Sequence, residues 1–365
     1  MYVLRVGILT PVSLSETDGT TVRIKRIIPF VSESYPTLVF CPGIEGEQLT
    51  DLAGTPVITF VLKRRGTHWN PIKLLHANAR LLSELLRNRI DLVYGPAVYF
   101  LPALFFSRLL GVKFVYEAHA LAYREVLQSS KFMAALWFIN EFMLAKIASS
   151  VAGLSKSTVT FFSPMNHKVT LVPVFVNLKL YRFNRVQDHE STSKRVGLIG
   201  PFRGMYNGPQ LDFLLANLER FDSRIRFVLI GDSDSGNNDS RIVNLGFIER
   251  EVDYAKALSE LDALIVPVKY GSWGPKNKIL EAMASGLPVI ATPEAILGLD
   301  FAIPGVNILV FPENDFVEET NSVLFAERLF AIASAGRKMV EEYYSEDLCR
   351  SILTGLLEDT YKRTL

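Results

Sequence analysis

At 365 residues, with 49% hydrophobic and 21% charged positions, the chain has room for two or three domains of about 150 residues and is too apolar for disorder. Two cysteines, Cys41 and Cys349, lie far apart with no metal-ligand spacing and read as core thiols in a reducing compartment. The net charge of +1 hides a division: residues 1–180 hold 19 Lys and Arg against 11 Asp and Glu, whereas residues 181–365 hold 20 against 27.

The start, MYVLRVGILTP, lacks a basic opening and a long apolar core, so it reads as a strand and not as a signal peptide. Leu4–Leu9 is that strand. A helix follows over Thr21–Val31, with Ile24, Ile27, Ile28 and Val31 on one face. Strands are expected at Leu38–Cys41 and Val57–Leu62, then a helix over Asn70–Asn88. The strand Asp91–Tyr94, a helix over Tyr99–Leu110, the strand Lys113–Tyr116 and a helix over Lys131–Ser149 continue the alternation. Val151–Leu154 and Val169–Pro173 close the first half. Apolar strands alternating with helices predict parallel sheets covered by helices. Phe132–Ala148 is the most apolar stretch, but its 17 residues include Asn140, Glu141 and Lys146, and a membrane span needs about 20 apolar residues. It reads as a buried or interfacial helix.

Asn184–Lys194, NRVQDHESTSK, is polar and aperiodic and reads as a linker. Beyond it the alternation restarts: strand Arg195–Ile199, helix Gln210–Asn217, strands Arg226–Ile230 and Ile242–Asn244, helix Asp253–Glu260, strand Ala263–Pro267. The strand Ile308–Val310 and two terminal helices, Val317–Ala335 and Ser345–Thr364, finish the chain.

Between them lies the most informative stretch, Lys269–Thr292, KYGSWGPKNKILEAMASGLPVIAT. Gly271 and Gly274 allow a close backbone approach. Lys278–Ser285 has helical spacing, Gly286 and Pro288 end it, and Val289–Ala291 forms a strand. A loop of backbone N–H groups, two lysines and the helical carboxylate of Glu281 make a receptor for a ribosyl diphosphate: N–H groups and lysines for phosphate, the carboxylate for paired sugar hydroxyls. An ordinary helix start with a solvated Glu281 is the competing reading.

KILEAMASGLPVIAT resembles the signature of the family-4 retaining glycosyltransferases (glycosyl transferases group 1). The resemblance implies the α/β GT-B fold, two Rossmann-like parallel-sheet domains facing a central cleft. Residues 1–183 would form the acceptor-side domain, 184–194 the linker and 195–344 the nucleotide-sugar-binding domain, with 345–365 a helix packing back on the first domain. In that family two glutamates bracket the donor. Glu281 matches the second, which holds the ribose; the first falls at Trp273, so the donor-sugar end departs from the pattern. The resemblance places Gly274 and Asn277 beside the donor, Lys278 and Arg203 on the leaving diphosphate, Gly200 in the loop after the domain's first strand, and Phe247 near the base. It places Gly19 and Thr20, after Asp18, where the family has a glycine-rich phosphate loop; the double glycine is missing, and a plain helix cap fits equally well. His119, in YEAHALAYRE, falls at the carboxyl end of a strand, where open α/β sheets bind ligands. It would meet the reacting sugar and acceptor, or serve as a structural histidine. Glu117, Arg124 and Glu125 would share its loop and face the acceptor.

Asp232-Ser233-Asp234 has the look of a metal-binding pair, but its setting, GDSDSGNNDS, reads as a solvated turn. No metal is therefore expected, and no cofactor beyond the nucleotide-sugar donor. The basic first half and the Lys63-Arg64-Arg65 run suit an anionic membrane surface or a scattered solvated face; no nucleic-acid motif accompanies them. The expected activity is transfer of a sugar, with retention, to a lipid-linked or glycan hydroxyl by a cytoplasmic enzyme at the inner face of the membrane. A nucleotide-sugar epimerase or hydrolase of the same fold, and a non-catalytic nucleotide-sugar-binding partner of another transferase, are the alternatives.

Overall fold

The computed structural model describes residues 3–15, 19–44, 49–63, 71–182, 193–202, 204–232, 239–271 and 273–362. Arg203, Asp18, Arg64, Arg65, His68, His189, Ser233, Asp234 and most of the polar segment 184–194 lie outside them. The chain divides into two compact units: Met1–Val172 with Arg350–Leu365, and Pro173–Cys349. The division falls at Pro173, ahead of the polar segment.

The first unit is built on eight strands: β1 (Val6–Leu9), β2 (Thr37–Ile44), β3 (Asp51–Leu52), β4 (Thr55–Lys63), β5 (Leu92–Gly95), β6 (Lys113–Ala118), β7 (Ser150–Gly153) and β8 (Val169–Leu171). Their order is β3-β4-β2-β1-β5-β6-β7-β8. All pairings are parallel except the short β3–β4 hairpin. β1, β5 and β7 are buried along their whole length, as continuous apolar strands covered on both faces must be. The last helix, Glu346–Lys362, gives most of its length to this unit: Thr360 Oγ1 is 2.6 Å from Ser150 Oγ, and Arg350 reaches Glu33 at 2.6 Å and lies over the Phe30 ring.

The second unit carries β9 (Lys194–Ile199), β10 (Ile225–Ile230), β11 (Ile242–Asn244), β12 (Ala263–Val266), β13 (Val289–Ala291) and β14 (Leu309–Val310), all parallel, in the order β11-β10-β9-β12-β13-β14. Val196, Leu198, Phe227, Leu229 and Ile265 form its core together with Leu214 and Phe316 from helices. In each unit the strand order reverses beside the first strand, and such switch points open at the carboxyl edge of a sheet.

Several elements differ from their sequence patterns. The helix expected from Gln210 begins at Gly204 and carries Pro209 as its sixth residue. The single helix expected over Val317–Ala335 is two, Phe316–Leu324 and Arg328–Tyr343. The break is bridged by Ala326 N–H to Val323 C=O (3.0 Å) and Leu329 N–H to Ala326 C=O (3.1 Å), with neither Gly nor Pro to mark it. Two short helices, Ala122–Leu127 and Lys156–Phe162, were hidden by their length; the second is held by a Ser155–Thr158 capping box. No helix among the described residues is long and apolar enough to cross a membrane.

Candidate functional site

In the second unit three glycines stand side by side past the ends of β9, β10 and β11. Gly200 N–H donates to Ile230 O at 3.0 Å, and Gly231 N–H donates to Gly246 O at 2.8 Å. Gly231 has φ +132°, and a Cβ there would lie 1.8 Å from Gly200 O. Only glycine permits that approach, which leaves the strand ends open for a ligand. Phe247 follows Gly246 and is half exposed.

The chain leaving β12 returns to this edge through the loop Val268–Lys276 and enters the helix Asn277–Ala284. Loop position is set by Gly298 (φ +84°), whose Cβ would meet Gly274 C at 2.7 Å, Pro275 N at 2.8 Å and Trp273 O at 2.9 Å. Gly274 is buried; Asn277 and Trp273 are half-buried. The helix ends as its sequence requires. Gly286 adopts φ +72°, Leu287 N–H donates to Ala282 O and Gly286 N–H to Met283 O, both at 2.9 Å, the paired bonds of a Schellman ending.

Lys278 is carried against the end of β9. Its Nζ donates to Ile199 O at 2.6 Å and to the buried Gln210 Oε1 at 2.9 Å. Burial, and then the Lys276 charge, push its pKa down to about 7. Gly200 and Lys278 are thus brought to one place. Glu281 is 6% exposed, so it is not the solvated first-turn carboxylate of the competing reading. Gly298 is the position that sequence reasoning passed over. Its only signal is a glycine just after a strongly patterned stretch.

In the first unit the helix Gly19–Ser34 begins at the carboxyl edge of β1. Gly19 is exposed and Thr20 half-buried; Thr20 Oγ1 lies 3.2 Å from His119 Nδ1. His119 Nε2 lies 2.7 Å from Glu117 Oε2. Glu117 is not in the His119 loop and does not face outward: it belongs to β6 and is fully buried. Its other oxygen accepts from Arg23 Nε at 2.6 Å and from the Tyr94 hydroxyl. Burial acts to raise its pKa, but the Arg23 charge, His119 and the Tyr94 hydroxyl outweigh it and hold the carboxyl at about 2. An ionised carboxylate only accepts, so Nε2 of His119 carries a proton. Both ring nitrogens are engaged within the protein, and only the longer Thr20 contact is readily exchanged. Arg23, the cation of this cluster, gave no signal in the sequence beyond its place on the apolar face of the first helix.

Arg124 and Glu125 lie on the helix Ala122–Leu127, and Arg124 Nε donates to the Tyr123 hydroxyl at 2.9 Å. The start of that helix is held by the buried Glu141, which accepts from Ala122 N–H at 3.0 Å and Tyr123 N–H at 3.2 Å. Burial raises the Glu141 pKa to about 7 against those two bonds. Among the described residues no group of three or more His, Cys, Asp or Glu is placed to hold a metal ion. Both cysteines are free and buried, and burial pushes Cys41 up to about 12.

Residues 193–325, which include Gly200, Phe247, Gly274, Asn277, Lys278 and Glu281, match the family described as glycosyl transferases group 1. No curated protein sequence matches the chain significantly. Among solved structures, sucrose-phosphate synthase from Thermosynechococcus elongatus has a TM-score of 0.78 at 15% identity, covering 98% of this chain and 99% of that one. HepE of Anabaena in complex with UDP and glucose has a TM-score of 0.75 at 15% identity, covering 98% and 100%. A glycosyltransferase from Rickettsia africae has a TM-score of 0.67 at 14% identity, covering 99% and 100%. The chain therefore has the two-domain GT-B fold, and its residues 193–325 are similar to the glycosyl transferases group 1 family.

Proposed function

We propose that the chain is a retaining hexosyltransferase, moving a sugar from a nucleotide-sugar donor to a hydroxyl of a lipid-linked or glycan acceptor. The observation that carries this reading is the family match over the segment where Lys278 and the buried Glu281 share one helix beside the open glycine edge. HepE is described with UDP-glucose, and TarM with UDP and an α-GlcNAc-glycerol, which supports a uridine donor and a glycan-type acceptor here.

In this reading Glu281 holds the ribose, Asn277 and Gly274 line the donor, and Phe247 lies by the base. Gly200, Lys278 and Arg203 meet the diphosphate. The bond from the sugar C1 to the diphosphate oxygen breaks, a new bond from C1 to the acceptor oxygen forms on the same face, and the acceptor's hydroxyl proton passes to the departing diphosphate. Negative charge grows on the leaving diphosphate, and fixed cations and N–H groups stabilise it without a required metal. His119, with Nε2–H held by Glu117, offers Nδ1 to a substrate hydroxyl that replaces Thr20. The enzyme works in the cytoplasm and meets an anionic membrane at its inner face.

Release of nucleoside diphosphate from a panel of nucleotide sugars, with and without membrane extract as acceptor source, is the test. Turnover is expected with at least one donor. Glu281→Ala should weaken uridine diphosphate binding by about 1.5–3 kcal/mol in calorimetry, the scale of a hydrogen bond to a charged group. Tight binding with no turnover under any acceptor condition would favour the non-catalytic partner, to which Trp273 in place of the first glutamate lends its weight.

A further inference from the structure

The helix Leu101–Leu109 follows β5 and the helix Lys131–Ile147 follows β6. They pack side by side: Asn140 Nδ2 donates to Val98 O at 2.8 Å, and the Trp137 and Tyr99 rings meet at 6.0 Å. Each turns an apolar face inward, Ala103 and Leu104 on one, Ala134 and Leu144 on the other. Each also turns an apolar face outward. Phe132 (72% exposed), Leu136, Ile139 and Met143 repeat at helical spacing as one uncovered stripe, and Phe106 and Leu109 (69%) are uncovered on the neighbour. Single exposed apolar side chains are ordinary; a stripe shared by two adjacent helices marks a surface with an occupant.

Charge identifies that occupant. The two helices carry Arg108, Lys131 and Lys146, and their one carboxylate, Glu141, is buried on the opposite side holding the backbone of Ala122 and Tyr123. Beyond Leu109, Lys113 stands close enough to Arg108 and Lys168 that, after burial, their charges lower its pKa. An apolar stripe flanked by cations and free of exposed carboxylates suits the headgroup and acyl boundary of an anionic bilayer. Neither helix is long enough to span one.

We propose that the outer face of these two helices is a docking surface for an anionic lipid bilayer, with Phe132, Leu136 and Ile139 inserted at the acyl boundary and Lys131 and Lys146 on the phosphates. This gives the membrane contact of the proposed function a definite surface and rests on that reading only for its purpose. The inserted helix also fixes, through Glu141, the segment that starts three residues after His119, so docking and the acceptor side of the site share one element.

The test is flotation of the full chain with vesicles of phosphatidylcholine, and of phosphatidylcholine with phosphatidylglycerol. Binding is expected to the anionic vesicles only, and to weaken with salt. The double substitution Phe132→Ser with Ile139→Ser should reduce it by roughly tenfold or more, and Lys131→Glu with Lys146→Glu should remove the preference for anionic lipid. The thermal shift produced by uridine diphosphate should be unchanged in both variants, which separates loss of the surface from misfolding or loss of the donor site. Three results overturn the proposal: no flotation with either vesicle, flotation that survives both pairs of substitutions, or a dimer in sedimentation that the apolar pair dissociates, which assigns the face to a second copy.

Discussion

In each unit the carboxyl end of the first strand is approached by a glycine that no other residue can replace. Gly95, at φ +146°, would put a Cβ 1.9 Å from Leu9 O; Gly231 would put one 1.8 Å from Gly200 O. Beside those matching backbones the electrostatics differ. In the first unit Arg23 is matched by Glu117, which in turn holds His119 and Tyr94, and the cluster is satisfied within the protein. In the second, the Lys278 ammonium is met by a backbone carbonyl and an amide oxygen, and its pKa falls to about 7. A lysine whose charged form is disfavoured by burial is one that a bound anion would favour. A cation already paired is a framework that orients its neighbour. In the proposed function the first of these would serve the donor diphosphate and the second would orient His119.

Breaking the closed cluster should have the largest effect. Glu117→Ala leaves the Arg23 guanidinium, 3% exposed, without its carboxylate. The expected loss is about 3–5 kcal/mol of stability in urea denaturation at pH 7. The sign with pH follows from the carboxyl being held at about 2, below its unfolded value near 4.3. Its contribution is present above the unfolded value and is lost as pH falls through about 2, so the difference between wild type and variant should shrink in acid. Replacing Arg23 and Glu117 together by leucine should recover part of the loss; equal cost for the single and double changes would contradict a pair that matters chiefly by matching charge.

The contrast also explains what the sequence could and could not tell. The strands β9 to β13 and the helix Asn277–Ala284 were legible because their apolar runs and glycine stops are local. Glu281 and Lys278 were legible because they sit inside that local pattern. The first unit's cluster joins Arg23, Tyr94, Glu117 and His119 from one helix, two strands and a loop, and no spacing in a sequence reports such a pairing. Glu117 looked like a loop residue because the β6 pattern weakens just where it turns from apolar to charged. The break at Phe325–Glu327 was invisible because apolar spacing continues across it and neither Gly nor Pro marks it.

Gly298 separates close approach from backbone conformation alone. Its φ is +84° and its Cβ would strike the backbone of Trp273, Gly274 and Pro275. Gly246 has φ +67° with nothing within 4 Å. Gly246→Ala should therefore cost only the left-handed conformation, about 1–2 kcal/mol. Gly298→Ala should cost about 1–3 kcal/mol more and, by displacing the loop before Asn277, weaken uridine diphosphate binding as well. If the two alanines proved equally destabilising and neither altered nucleotide affinity, the loop would not be positioned by that contact.

The smallest effect is the most specific to the open site. With a pKa of about 7, Lys278 is only part-charged near neutrality in the free protein, and the proposed diphosphate would favour its charged form. Affinity for uridine diphosphate should therefore fall as pH rises above about 7, by up to about tenfold per unit, until the pKa of the complex is reached. Stability of the free protein should move the other way. The unfolded chain keeps this lysine protonated up to about 10.4, so it binds more protons than the folded chain between those values, and stability gains with pH across the window. Calorimetry at pH 8 in two buffers of different ionisation enthalpy should report proton uptake on binding. Lys278→Met should bind more weakly, take up no proton and show a flat profile. Wild-type affinity that is constant between pH 7 and 9 would mean that Lys278 keeps its charge in the free protein, and the contrast between the two cations would fail.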